Sequence, residues 1–224
     1  MPVQIVTAPV VEPVSLAEAK DHLRVRISDD DALISALIIA ARQAAETITR
    51  RAIAQQQWKI VGDRFPSPMA GRLTEYWLGQ QWGLSGMNSQ SVFLPTGRTG
   101  YELILPFPPV QTVDSIKYID TYGVQQTLPA INYLVDNVSE PARVAPAYGY
   151  AWPTTQQRIN AVEVTFTAGY SAGQIPEGIK AWIKIRIGSL YENREEVALL
   201  NRGHITELPF VDGLLDPFRV ITFN

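Results

Sequence analysis

The chain has 224 residues, 46% of them hydrophobic and 18% charged, which are the proportions of a folded protein of one or two domains rather than a fibre or a disordered chain. Its 19 basic and 22 acidic side chains leave a net charge of −3, so no overall field draws it to nucleic acid. Cysteine is absent, which excludes disulfides, thiolate metal sites and cysteine nucleophiles together and suits a reducing compartment.

In chain order, the opening MPVQIVTAPVVEPVS has neither a basic start nor a small-residue cleavage site, so export is not expected. In EPVSLAEAKDHLRV, Ser15 and Glu18 stand at the capping-box spacing, and a short amphipathic helix from Leu16 to Leu23 follows. The segment ISDDDALISALIIAARQAAETITRRAI then carries Leu33, Leu37, Ala41, Ala44 and Ile48 at helical spacing, widened by Ile34, Ile38 and Ala45. Ser28 and Asp29 to Asp31 are expected to cap this long helix, and Arg50 and Arg51 to close it, as the helix dipole favours. The aspartate triplet lacks the alternating ligands, glycine turn and distal glutamate of a calcium loop. No apolar run reaches the roughly 18 residues of a membrane span, so no membrane is expected.

After Ala54 the period changes to two. QQWKIVGDRFP, YELILP, VDSIKYID, NYLVDN, ARVAPA and NAVEVTFTAGY read as strands of a small antiparallel sheet or sandwich, drawn as a meander, with a turn at Thr121-Tyr122-Gly123. Between Ser67 and Gly100 runs a Gly-, Ser- and Gln-rich stretch bearing Tyr76, Trp77, Trp82 and Phe93. It is read either as an arm that exposes aromatics for contact or as a hairpin and short helix whose tryptophans tuck into the sheet. At Ile175-Pro176-Glu177 a second long helix starts, with Ile179, Trp182, Ile183, Ile187, Leu190 and Tyr191 on its apolar face and Gly188 at a position suited to close packing. The charged run Tyr191-Glu192-Asn193-Arg194-Glu195-Glu196 sits where that stripe ends, as a helix end would. The tail LPFVDGLLDPFRVITFN has no helical period and needs something to pack on.

Chemistry is sparse. No phosphate loop, dinucleotide fingerprint, nucleophile elbow or His-Glu-x-x-His occurs, and His22 and His204 lack ligands at metal spacing. No catalytic residue, metal or cofactor is assigned, and the chain is not expected to be an enzyme. The aromatics Tyr76, Trp77 and Trp82 leave open a carbohydrate- or receptor-binding module.

The order of these segments, from EPVSLAEAKDHLRV and the DDDALISALIIAARQAAETITRRAI helix through QQWKIVGDRFP, PFPPVQTVDSIKYID and SEPARVAPAYGYAWPTTQQRINAVEVTFTAGY to IPEGIKAWIKIRIGSLYENREEV and LPFVDGLLDPFRV, resembles the phage head-tail connector, or portal-adaptor, family in its subgroup with a β insertion. Residues 67–100 depart from that pattern as an enlargement. The resemblance implies an α+β fold: a helical bundle with an inserted antiparallel β domain and an extended C-terminal tail. The expected boundaries are 1–54 for the first core helices, 55–172 for the β region, 173–205 for the last core helix and 206–224 for the tail.

It further implies a structural virion protein of the neck, assembled in the host cytoplasm. Such a protein forms a homo-oligomeric ring, usually a dodecamer, under the portal protein, and offers a platform to a stopper, completion or tail terminator protein while DNA passes without specific binding. Carried over residue by residue, Leu208, Pro209, Phe210, Leu214, Leu215, Phe218 and Arg219 are expected to dock on the portal or a neighbouring subunit. Tyr191, Glu192 and Arg194 are expected at a subunit contact.

Overall fold

The computed structural model describes residues 3–66, 101–192 and 213–220. The fold is α+β, as expected, and separates into two compact units, residues 9–55 with 169–224 and residues 1–8 with 56–168.

In the helical unit, α1 (Leu16–Leu23) starts on the capping box read from the sequence. The Ser15 hydroxyl accepts from the Glu18 amide at 3.2 Å, and the Glu18 carboxylate accepts from the Ser15 amide at 2.8 Å. The helix stops at Arg24, whose left-handed φ of 58° lets its amide and that of Val25 turn back to Asp21 and Lys20.

The second helix, α2 (Asp31–Thr49), and the third, α3 (Glu177–Glu192), share one core with α1. Ile34, Ile38, Ala41 and Ala45 of α2 meet Ile179, Trp182, Ile183 and Ile187 of α3, with Val14, Ala19, Ile53 and Ile175 closing the ends. The buried stripe of α2 is therefore rotated from the expected one. Leu33 is exposed and Leu37, Ala44 and Ile48 are half-buried, while the residues read as widening the stripe form its centre. Nor do the aspartates cap α2 as expected. Asp30, at the N-cap, makes no side-chain capping bond and instead accepts from the Tyr191 hydroxyl, while Asp31 pairs with Lys20 of α1.

Among the described residues α2 is the one helix long and apolar enough to cross a membrane by length and composition. Here it is the central helix of this core. The Gly188 position touches α1 only at ordinary contact distance, with His22 Nε2 3.7 Å and Leu23 Cδ2 4.0 Å from where a Cβ would stand. The close packing read for Gly188 is not what the helix pair needs.

Gly169 is different. Its φ is +114°, and a Cβ there would run into the Ala54 carbonyl, so glycine alone is admitted; beside it Tyr170 bridges in parallel to Ala54.

The sheet unit has a five-stranded antiparallel sheet, ordered β1 (Val3–Thr7), β2 (Gln56–Gly62), β8 (Val162–Ala168), β4 (Val110–Ile119) and β5 (Gln125–Thr127). A second sheet of three strands runs β3 (Leu103–Leu105), β7 (Ala142–Pro146), β6 (Tyr133–Asp136). The expected meander fails at β8, which inserts between β2 and β4 instead of joining the end of the sheet. Its strict alternation explains why: Val162, Val164, Phe166 and Ala168 are all buried, so β8 suits the centre of a sheet. Across the strands Trp58 stands opposite Phe166 and Ile60 opposite Val164.

The first strand is a further difference. Val3–Thr7 pairs with β2, so the chain enters as an edge strand before its first helix. The turn after β4 follows the expected pattern, with Gly123 at φ 83° and the Asp120 carboxylate accepting from the Tyr122 and Val124 amides, each at 2.9 Å.

Candidate functional site

The residues expected to dock a partner are best followed from the C-terminal segment inward. Residues 213–220 form a short turn ending in a 3-10 helix, Asp216–Phe218, held against the helical unit. Leu215 is fully buried in the core of α1, α2 and α3, with Leu214 and Phe218 packed partly buried against it. Phe218 lies over Gly178 in the first turn of α3, its ring 3.2 Å from where a Cβ would be, so glycine provides the seat. Two backbone ties complete the strap: Arg51 Nε donates to the Phe218 carbonyl, and the Val220 amide donates to the Thr49 carbonyl at 3.0 Å.

The segment therefore finds its packing within its own unit. Of the anchors expected on a portal or neighbouring subunit, Leu215 is buried in the core of the chain's own helices, and Leu214 and Phe218 are partly buried against that core. Asp216, Pro217 and Arg219 are exposed. Leu208, Pro209 and Phe210 lie outside the described residues.

The helix-end cluster divides similarly. The Tyr191 hydroxyl donates to Asp30 at 2.6 Å, tying the end of α3 to the start of α2, while Glu192 is exposed. Arg194, and the arm residues Tyr76, Trp77 and Trp82, lie outside the described residues. At Tyr191 the run is thus tied to the helical unit itself.

A buried ionic site escaped the sequence reading. Arg42 is 4% exposed on the inner side of α2, where it meets Glu12 and Glu46, each at 2.8 Å. Glu46 in turn accepts from the Ile53 amide at 3.0 Å. Burial pushes the Glu46 carboxyl above its ordinary range, opposed by the Arg42 charge and by the Ile53 and Ala54 amides. The cluster fixes the segment before α1 and the segment after α2 to one another. The spacing of Arg42 and Glu46, four residues apart, is the one trace of it in the sequence.

In the sheet unit, Asp136 holds the turn between β6 and β7. Asp136 accepts from Arg143 Nε and from Ser139, whose hydroxyl and amide both donate, and these bonds hold its carboxyl far below the usual range. Phe65 stacks on Trp152 at 4.8 Å, and Trp152 Nε1 donates to the Tyr101 carbonyl at 2.8 Å. Among the described residues no group of three or more His, Asp or Glu is placed to hold a metal ion.

Residues 13–68, which run from the cap of α1 through α2 and β2, match the family described as phage gp6-like head-tail connector protein. No curated protein sequence matches the chain.

The fold has counterparts among solved structures over its full length. A chain in the neck of an empty GTA particle, computed with C6 symmetry, is 21% identical with a TM-score of 0.70, the match covering 100% of this chain and 98% of that one. A chain in the virion of a native gene transfer agent particle is 21% identical at TM-score 0.71, with the same coverages of 100% and 98%. One in the neck of a native GTA particle, computed with C12 symmetry, is 22% identical at TM-score 0.68, again covering 100% and 98%. The resemblance to the head-tail connectors read from the sequence is thus met by a family match over residues 13–68, and the whole chain has the fold of these particle proteins.

Proposed function

We propose that this chain is a structural neck protein of a phage-like particle, a head-tail connector that forms a ring beneath the portal, prolongs the DNA channel and presents a platform to the tail-side protein. One observation carries the reading: the fold likeness runs through both units and nearly the whole of chains found in particle necks, and the connector family match falls on α1, α2 and β2. The C6 and C12 symmetries of those necks support a ring, with twelve copies as the number to test. The role is taken to be non-catalytic, performed by surfaces.

The mechanism follows from rigidity and charge. A ring subunit holds shape under the load of packed DNA when its helices are cross-tied, and here the Arg42 cluster, the Tyr191 to Asp30 bond and the C-terminal strap supply the ties. A net charge of −3 disfavours adhesion of DNA to the channel, since cationic contacts to phosphate are what bind it. The location that fits is the virion neck, with assembly in the host cytoplasm.

The test is sedimentation and negative-stain electron microscopy of the purified chain, alone and with portal rings of the same particle. A second ring stacked on the narrow end of the portal is expected. A chain that never associates with portal rings would refute the reading.

A further inference from the structure

The five-stranded sheet ends in two strands that each have a single neighbour. Among the described residues no strand pairs with the outer side of β1 or of β5. Edge strands are ordinarily protected by charge, proline or a covering element, because their unpaired backbone groups recruit other strands. β1, Val3-Gln4-Ile5-Val6-Thr7, has no charge and no proline, and Ile5 and Val6 are each 50% exposed. The uncharged run continues through Val11, with Val10 at 91% exposure.

At the opposite end, β5 and its turn are exposed throughout, from Thr121 to Thr127, and no charged residue occurs between Thr121 and Val135. Tyr122 is 91% and Val124 53% exposed there.

We propose that these two edges are the two halves of one subunit contact, in which the β5 hairpin of one copy lies against β1 of the next. The occupant is a second copy of this chain for a geometric reason. The edges differ in sequence and lie at opposite ends of one sheet, so a single head-to-tail contact, repeated by rotation, covers both on every subunit. Such heterologous contacts close into rings. A partner of any other kind requires two unrelated contacts to do the same.

Strand direction agrees. Each neighbour in the order β1, β2, β8, β4, β5 is antiparallel to the last, so β1 and β5 run the same way. Rotation about an axis along the strands then sets β5 beside the next β1 in parallel. The inference rests on the ring proposed above and names the surfaces that build it.

The chain has no cysteine, so introduced pairs report cleanly. The variants are Ile5→Cys, Gln126→Cys and the two combined, at exposed positions where substitution is tolerated. Each is mixed with portal rings, imaged, and treated with a short bismaleimide. The combined variant should yield a covalent ladder well beyond the dimer, an equal mixture of the single variants should stop at dimers, and either single variant alone should stay monomeric.

Stacked rings without a ladder, for this pair and for the shifted pair Val6→Cys with Gln125→Cys, would overturn the edge contact while leaving the neck reading intact. Cross-linking of Ile5→Cys to the portal would overturn it in favour of the portal as occupant. If no ring stacks on the portal, the neck reading falls; a ladder in that sample still upholds the edge contact, and its absence refutes both.

Discussion

The two units of this molecule differ in what they bury at their centres and what they leave at their edges. The helical unit buries a guanidinium, flanks it with Glu12 and Glu46, and draws the C-terminal segment in to finish its own core. The sheet unit leaves Ile5, Val6, Tyr122 and Val124 exposed at uncharged edges. The helical unit closes its core with its own C-terminal segment, whereas the edges of the sheet unit are where we propose that a second copy attaches.

The comparison breaks most directly at Arg42. Arg42→Ala leaves Glu12 and Glu46 without their cation inside the helical unit, and removing one partner of a buried pair costs about 3–5 kcal/mol. Chemical denaturation followed by circular dichroism checks this; a change below about 1 kcal/mol would show that the cluster is solvated.

Next in size is Leu215→Ala. Full burial in the core predicts a loss of about 2–5 kcal/mol, and with it release of residues 213–220, seen as new protease sensitivity there. If stability is unchanged but portal binding is lost, Leu215 is a docking residue after all.

Gly188→Ala should act in the other direction. The nearest atoms, 3.7 and 4.0 Å from where its Cβ would stand, leave room for a methyl group, so helix propensity predicts a gain approaching about 1 kcal/mol, read as a raised denaturation midpoint.

The smallest effect is in acid, and it sharpens the comparison by sign. Asp136 has a depressed folded pKa, so its contribution to the three-stranded sheet is fully present above its unfolded value of about 3.9 and is lost as pH falls through the folded one. Glu46 has a raised folded pKa, so the helical unit binds that proton more readily than the unfolded chain does. Its contribution therefore improves as pH falls from the folded value towards about 4.3. Titration followed residue by residue in NMR spectra should show β6 and β7 loosening at low pH, while Ile53, beside Glu46, stays protected in the window where Glu46 alone titrates. The same sign in both units would contradict these environments.

Much of this was legible in the sequence where the signal is local. The Ser15 and Glu18 box, the helix around Ile34 to Ala45, the start of α3 after Pro176 and the turn at Gly123 each depend on residues a few positions apart. What was not legible depends on distant partners. Period alone does not choose between the Leu33 and Ile34 stripes, because α2 is apolar on most of its circumference and the neighbours decide. Arg42 reads as a surface residue until Glu12, 30 positions away, is placed beside it. Strand β1 has the composition of a lead-in segment until β2 pairs with it, and β8 reveals its central place only through two partners. Leu215 illustrates the same limit at the site: an apolar tail without period must pack on something, and the sequence does not say whether that surface belongs to its own chain.

The central claim is a place in the neck, and a reconstruction of the intact particle tests it most directly. Cryo-electron microscopy of the head-tail junction should place this α+β chain in a ring next to the portal, one copy per asymmetric unit of that layer, with β1 and β5 of adjacent copies in contact. A layer next to the portal built of a different chain, with this one absent from the neck, would contradict the account.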